Sequence, residues 1–178
     1  ISLDIDLTST FADFETKMPF ELNENHLAMA NSRARLRMTT LYAVAQANGC
    51  LVAGTGNKVE DFGIGFFTKY GDGGVDISPI ADLMKTEVWQ LAKEVGVIQE
   101  IVDAKPTDGL WEDGRSDEDH IGASYPELEW AMEFDGDEST ISLREAEVLK
   151  IFRKLNRLNQ HKMESIPICK IPVEIKCS

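Results

Sequence analysis

The chain has 178 residues, 43% of them hydrophobic, and 31 acidic against 18 basic side chains give it a formal net charge of −13. This length and composition predict one folded domain over residues 1–178 and exclude collagen-like and disordered chains. The acidic surface argues against nucleic-acid partners, because it would repel a phosphate backbone. No apolar run approaches the ~20 residues of a membrane-spanning helix, so no membrane partner is expected.

The three cysteines carry no predicted chemistry. Cys50, Cys169 and Cys177 are widely spaced and form no CxxC pair. This spacing fits neither a disulfide framework nor a zinc site, and it predicts a reducing cytoplasmic location. Cys50 opens an apolar run and is expected to be a small buried side chain.

The first third of the chain predicts an α/β crossover. Residues 1–7 alternate apolar and polar side chains, which is typical of a half-buried strand. Apolar residues at three- and four-residue steps predict a helix from Asn25 to about Gln46, with Gly49 ending it. The continuous apolar run 50–54 then predicts a buried parallel strand.

Two strands are too few for a parallel sheet covered by helices. We therefore expect a sheet that is incomplete at the N-terminus of this chain. Its other strands are expected to precede Ile1 or to come from another chain.

Three further helices are predicted from capping signals. Thr86 is expected to cap a helix that ends before Gly96. Residues 124–134 form the second, opened by a serine and a proline, and Ser142 with Glu145 forms a capping box for the third.

Two long stretches, 62–82 and 103–123, are too polar and too rich in glycine to form core. They are expected to be irregular, and ordered loops of that length usually serve function. The acidic part of the second stretch, 112–119, is interpreted as a solvated loop.

A glycine-containing turn follows the predicted second strand. Gly54, Thr55 and Gly56 lie at the carboxyl end of that strand, where open α/β sheets bind ligands. However, Val59 stands where a GxGxxG motif needs its third glycine, and the chain contains no GxxxxGK[ST] loop. From these residues alone, a simple turn before a helix is the preferred explanation of the segment.

The charged residues also have two interpretations. Lys69 and Asp72 lie in a glycine-rich loop that can bring both charge signs to a ligand, although a solvated turn is an alternative. Without further evidence, Arg35, Glu60 and Lys85 are better explained as surface charges. A cation at a helix C-terminus, stabilised by the helix dipole, would account for His161.

Several runs taken together indicate a family. NSRARLRMTTLYAVA, LVAGTGNKVED, FFTKYGDGGVDISPIADLMKTEV, KPTDGLWE and DEDHIGASY occur in this order. In this combination the chain closely resembles the ammonia-dependent NAD synthetases, from about Asn25 to Tyr125 and again at His161-Lys162. The resemblance implies an adenine-nucleotide α-hydrolase-like (Rossmann-like) fold, with helices on a parallel sheet.

The resemblance also implies a two-step amide synthesis. ATP would adenylate the nicotinate carboxylate of deamido-NAD and release pyrophosphate, and ammonia would then displace AMP to leave NAD. The first step supplies the leaving group that a carboxylate lacks. Mg²⁺ is implied as cofactor, ATP as co-substrate and a homodimer as the assembly.

The family's site residues transfer to matching positions of this chain. The implied ATP contacts are Thr55, Lys85 and Thr107, and the implied magnesium ligand is Glu60. The implied deamido-NAD contacts are Arg35, Lys69, Asp76, His161 and Lys162. Asp72 is the implied ammonia-site residue, which would hold ammonium or take its proton.

Two departures qualify the resemblance. The chain contains no SGGxDS-type pyrophosphate loop, and it has one extra residue between Glu60 and FTKY relative to the commonest family form. We therefore expect the C-terminal portion of a synthetase. The alternatives are a non-catalytic module that binds a dinucleotide or a partner, and an ATP-dependent ligase that amidates another acid.

Overall fold

The computed structural model describes residues 2–107 and 116–175, and these ranges are mainly helical. The α-helices are α1 (Thr8–Thr16), α2 (His26–Ala47), α3 (Lys85–Glu94), α4 (Gln99–Val102), α5 (Asp117–Ile121), α6 (Tyr125–Glu133) and α7 (Leu143–Met163). A π-helix spans Lys58–Ile64. Short 3-10 turns occupy Leu22–Glu24, Glu138–Thr140 and Val173–Ile175.

The buried core lies where the π-helix, α6 and α7 pack together. Burying each large apolar side chain there contributes about 1.5–3 kcal/mol. The largest side chains sealed from solvent are Tyr125, Ile64, Leu128, Val59 and Val148. This core fixes the π-helix, and with it the acidic residues that the π-helix carries.

Three of the predicted helices are confirmed. α2 matches the prediction within one residue at each end, and Gly49 follows it in a left-handed conformation. α6 begins after Ser124 with a proline in its first turn, as expected. The predicted capping box of α7 is present, because Glu145 accepts the N–H of Ser142 and donates its own N–H to the serine hydroxyl.

The predicted buried strand at 50–54 is wrong in its extent and, apart from Val52, in its burial. Among the described residues, the segment forms one isolated parallel β-bridge, between Ala53 and Ile77. The Asp76 carboxylate accepts the N–H of Val52 at 2.8 Å, so a side chain occupies a position that a neighbouring strand would take. Leu51 is 67% exposed. Cys50, expected to be buried, is exposed because it lies in the turn after α2.

The predicted strand at 1–7 is also wrong for the residues that the structure describes, since Ile1 lies outside them. Leu3 and Ile5 are exposed, and no strand forms over residues 2–7. The Asp6 carboxylate accepts the N–H of Thr8 at 2.8 Å and turns the chain into α1 instead. The alternating pattern therefore has no neighbour to pair with among the described residues.

Thr86 does not cap α3. Met84 precedes that helix, and its N–H is accepted by Glu87 at 2.7 Å. The N–H and hydroxyl of Thr86 are instead accepted by Glu129 of α6, which ties the two helices together.

The stretch 103–123 was expected to be irregular, but it contains α5. Ser116 caps this helix by accepting the N–H of Asp119 and by donating to its carboxylate. Ser116 and Asp117 are buried, so this end of the acidic stretch is not a solvated loop. Residues 112–115 of that stretch lie outside the described residues.

Arg144 of α7 clamps Glu127 of α6 in a bidentate pair. Its Nε and Nη2 donate to the two carboxylate oxygens at 2.7 and 2.9 Å. These hydrogen bonds, with help from the N–H of Ser124, lower the pKa of Glu127 to about 2. A carboxyl whose pKa falls on folding stabilises the protein above its unfolded pKa and loses that contribution as pH falls.

We predict that Glu127→Gln lowers the free energy of unfolding by about 1 kcal/mol at pH 7, after allowance for solvent screening of this partly exposed pair. The difference should shrink as pH falls from about 4.5 towards 2. Urea unfolding of both proteins at several pH values measures it. Glu133→Gln, at an exposed position of the same helix, is the control. A difference independent of pH would contradict the assignment.

Candidate active site

The π-helix presents two consecutive carboxylates to two neighbouring sites. Asn57 is buried ahead of it, and its side-chain oxygen accepts the N–H of Glu60 at 3.1 Å. π-helical turns are rare in proteins, and those that occur often lie at functional sites. Here Glu60 meets α3 and α6, whereas Asp61 lines a cavity on the other side.

Glu60 is the centre of a largely buried polar cluster. Its Oε1 accepts the Lys85 ammonium at 2.9 Å and also the Tyr125 hydroxyl, while the Asn57 amide donates to Oε2. The side chains of Lys85 and Glu60 are 19% and 14% exposed. An ion pair shielded to this degree holds its geometry more firmly than an exposed pair does.

Tyr125 completes this cluster from α6. Its ring lies 4.9 Å from the Lys85 ammonium and meets Trp89 edge to face. Its hydroxyl is also 3.4 Å from Asp117. Burial raises the pKa of Tyr125 far above its usual value, and the Glu60 and Asp117 charges add to this. The hydroxyl therefore stays protonated and acts as a donor.

A second group of charges lines a cavity of about 210 Å³ next to the cluster. The cavity lies between the turn at 54–56, the loop 67–78 and the end of α7. Its charged lining side chains are Asp61, Lys69, Asp72 and Lys162. Tyr70 lines it too, with a φ of 63° that non-glycine residues rarely adopt.

The cations of the cavity are held by main-chain oxygens. Lys162 donates to the carbonyls of Gly65 and Phe67 at 2.9 and 2.8 Å. Burial lowers its pKa, and the Asp72 charge partly opposes that effect. Lys69 donates to the carbonyl of His161. These bonds fix two ammonium groups without neutralising their charge.

Asp61 is a cavity residue that the sequence did not single out. Burial raises its pKa to about 6, with contributions from the Glu60 and Asp72 charges. A Cβ placed on Gly56 would lie 1.9 Å from its carboxylate, so a side chain at position 56 would displace that carboxylate from this position. The two consecutive acids at 60–61 were the only signal in the sequence for this residue. In an ordinary α-helix, consecutive residues point in different directions, so only one of the two acids would have been expected to face the site.

The structure brings five of the ten predicted site residues into two adjoining groups. Glu60 and Lys85 are paired, and Lys69, Asp72 and Lys162 share the cavity. The other five predicted residues are Arg35, Thr55, Asp76, Thr107 and His161.

Arg35 lies beside the cavity, because its Nε donates to the carbonyl of Lys69 at 3.2 Å. The His161 side chain is exposed, and its ring contacts the carbonyl of Leu158. Thr55 is exposed between two glycines that line the cavity.

Asp76 and Thr107 are not among the residues that line the cavity. The Asp76 carboxylate accepts the Tyr42 hydroxyl at 3.1 Å as well as the N–H of Val52, so both of its oxygens are engaged. Thr107 is exposed and follows Pro106, whose carbonyl accepts the N–H of Asp117 at 3.0 Å. That bond brings the 106–107 segment towards the Tyr125 end of the cluster.

Within residues 2–107 and 116–175, no three His, Cys, Asp or Glu side chains are grouped so as to hold a metal ion. No helix in these ranges is long and apolar enough to cross a membrane. A larger cavity of about 570 Å³ lies between α1 and α2, and none of the predicted site residues lines it.

Comparison with known proteins decides the family. The profile of the family described as NAD synthase matches residues 2–166. The chain belongs to the NAD synthase family. The NH(3)-dependent NAD(+) synthetase of Mesoplasma florum is 45% identical over 129 residues, which cover 72% of this chain and 52% of that protein. The enzyme of the same name from Carboxydothermus hydrogenoformans is 40% identical over 162 residues, 91% of this chain and 62% of that protein.

The chain thus matches little more than half to about three fifths of the length of these two relatives. Among solved structures, the NMN synthetase of Francisella tularensis aligns with a TM-score of 0.77 and 32% identity, over 95% of this chain and 65% of that one. The NH3-dependent NAD synthetase of Campylobacter jejuni, in complex with nitrate, aligns at 0.70 with 22% identity, over 93% and 64%. The chain shares the fold of these structures.

Gly65 fixes the end of the π-helix against α7. Its φ of +62° is left-handed, and an added Cβ would lie 2.5 Å from the Cβ of Asn159. Its carbonyl also accepts Lys162. Glycine at this position therefore sets the distance between the two elements that carry Asp61 and Lys162.

We predict that Gly65→Ala destabilises the protein by about 2 kcal/mol more than Gly49→Ala does. Gly49 has a nearly identical φ of +64°, but an added Cβ there has no neighbour within 4 Å. Both variants share the cost of about 1–2 kcal/mol for a left-handed alanine, and only Gly65→Ala adds the clash. Urea unfolding measures the difference, and equal losses would refute the close-packing argument.

Proposed function

We propose that the protein catalyses the ATP-dependent amidation of deamido-NAD to NAD with ammonia, through an adenylated intermediate. The observation that carries the proposal is the shielded Glu60–Lys85 pair beside a cavity with two fixed cations, in a chain of the NAD synthase family. Two polyanionic substrates need fixed positive charge in a protein whose net charge is −13.

The cluster is the proposed ATP side of the site. Lys85 would bind a phosphate, with Thr55 and Thr107 as further ATP contacts. Because Lys85 is anchored on Glu60, its ammonium needs little rearrangement to meet developing charge on the phosphates. The proposed product of this step is the acyl adenylate, whose AMP is a good leaving group.

Mg²⁺ fits this side of the site when ATP supplies most of its ligands. Magnesium is commonly held by one or two protein carboxylates together with substrate phosphates, so the lack of a three-residue cluster among the described residues does not oppose it. Glu60 is the proposed protein ligand. When bound, the ion would neutralise phosphate charge next to this carboxylate.

The cavity is the proposed deamido-NAD side. Lys69 and Lys162 would neutralise its phosphates, and Arg35 is placed to contribute a bidentate contact. His161 and Asp76 are further proposed contacts; the two hydrogen bonds of Asp76 favour an indirect part, in which it holds the 52–76 segment in place. Asp72 is the proposed ammonia-site residue. Its Oδ1 accepts the N–H of Thr68, which orients the carboxylate.

Three broader features belong to the same proposal. The fold is proposed to be the adenine-nucleotide α-hydrolase-like one, with the Ala53–Ile77 bridge as part of its parallel sheet. The assembly is proposed to be a homodimer, a view supported by exposed apolar residues of α2 such as Leu27 and Leu41. The proposed location is the cytoplasm, where the exposed thiols of Cys50 and Cys169 would stay reduced.

We predict that Lys85→Ala lowers pyrophosphate release at least ~100-fold in the natural full chain supplied with ATP, Mg²⁺ and deamido-NAD. The loss follows from removal of a positioned cation and from the unpaired Glu60 that remains. Lys93→Ala, at an exposed position of the same helix, is the control and should retain activity. Normal pyrophosphate release by Lys85→Ala would overturn the assignment of the ATP side.

A second candidate is formation of NMN from the corresponding mononucleotide acid. It is favoured by the better alignment with the structure called NMN synthetase, at 32% identity against 22%. The two candidates share the chemistry and differ in whether the site binds an adenylyl half of the acid.

Comparing kcat/KM for the two acids separates the candidates. For an NAD synthetase, deamido-NAD should be preferred at least ~10-fold, because the additional phosphate and adenosine supply binding energy. Preference for the mononucleotide acid would select NMN synthesis. Activity with neither acid, in a chain that still binds one of them, would favour the non-catalytic alternative.

A further inference from the structure

Tyr125 is fully buried at the first position of α6, yet it carries a hydroxyl. Burying a hydroxyl is costly unless it finds a partner. Two carboxylates lie within reach, and the phenolic proton can be donated to one at a time. The 3.4 Å to Asp117 exceeds the usual O–H···O range, whereas Glu60 is in hydrogen-bond contact with the hydroxyl, so Glu60 is the acceptor.

The hydroxyl and the ring of Tyr125 act on the same ion pair. Glu60 Oε1 accepts both the hydroxyl and the Lys85 ammonium, and that ammonium also lies 4.9 Å from the ring centre. One side chain therefore limits the position of the carboxylate and of the cation. Trp89 packs against the ring in a T-shaped arrangement, with the ring centroids 6.1 Å apart, and limits its rotation.

Tyr125 also joins the pair to a second part of the proposed ATP side. Its N–H is accepted by Glu118 at 2.8 Å, which ties it to α5. The same short helix begins at Asp117, whose N–H is accepted by the carbonyl of Pro106. The residue after Pro106 is Thr107, a proposed ATP contact.

We propose that Tyr125 is a positioning residue for ATP binding and adenylation. It fixes the positions of Glu60 and Lys85 relative to the 106–107 segment. The inference rests on the proposed function for the adenylation step, although its effect on ATP affinity is independent of which acid is amidated. A residue kept for packing alone would need the ring and not the hydroxyl.

Tyr125→Phe tests this directly, because it keeps the ring and removes one oxygen atom. In the natural full chain we expect the affinity for a Mg²⁺ complex of a non-hydrolysable ATP analogue to fall three- to ten-fold by calorimetry. The kcat for pyrophosphate release should fall at least ten-fold, while KM for deamido-NAD stays within two-fold. Unchanged affinity in a folded Tyr125→Phe protein would overturn the inference.

Ser124→Ala is the matched control for a purely structural effect. It weakens the start of the same helix, where the Ser124 hydroxyl contacts Glu127 and not Glu60. Its Tm should fall, while analogue affinity and kcat stay unchanged. If Ser124→Ala reduced analogue affinity as much as Tyr125→Phe does, the effect would be one of helix stability and the inference would be wrong.

A double-variant cycle tests the route through Glu60. If Tyr125 acts through this carboxylate, Tyr125→Phe should have little further effect on analogue affinity in a Glu60→Gln background. Additive effects would contradict that route.

One measurement does not depend on the variant folding. In wild-type protein with ¹³C at the tyrosine Cζ, the Tyr125 signal should shift when the ATP analogue binds, and an unmoved signal would overturn the inference. The proposed function alone would be refuted if the wild-type protein amidated neither acid, while its Tyr125 signal still shifted on analogue binding and Tyr125→Phe still bound the analogue more weakly.

Discussion

The shielded ion pair between Glu60 and Lys85 determines how the site is arranged. A pair at this depth is a weak source of stability, because the cost of removing both charges from water offsets their attraction. Breaking it by losing one partner would nevertheless leave an unpaired charge next to the core. Its value lies in geometry, since three elements, the π-helix, α3 and α6, meet at one carboxylate oxygen.

The same constraint explains how an acidic chain could hold the polyanionic substrates proposed for it. With a net charge of −13, the overall field repels phosphate, so binding depends on cations fixed close to the ligand. Main-chain carbonyls and one carboxylate hold Lys69, Lys162 and Lys85 in place. Asp61 lines the cavity next to Glu60, and its pKa is raised mainly by burial and further by the Glu60 and Asp72 charges.

Local signals in the sequence predicted helices well and pairing poorly. The periodicity of α2 and the capping box of α7 depend on residues close in the chain, and both predictions are confirmed. The strand predicted at 50–54 depended on a partner strand; in the described part of the chain, main-chain pairing is limited to one bridge with residue 77, and the Asp76 carboxylate takes the N–H of Val52. In the site, motifs indicated Glu60 and Lys85, whereas Tyr125 was missed because its role depends on a contact 65 residues away.

Exchange of labelled pyrophosphate into ATP tests the account most directly, because it reports adenylation without the ammonia step. The natural full chain would be given ATP, Mg²⁺ and labelled pyrophosphate, with ammonia left out. If the site adenylates deamido-NAD, label should enter ATP only when deamido-NAD is added, and Lys85→Ala should abolish this exchange. Absence of exchange in a protein that binds both substrates would contradict the account.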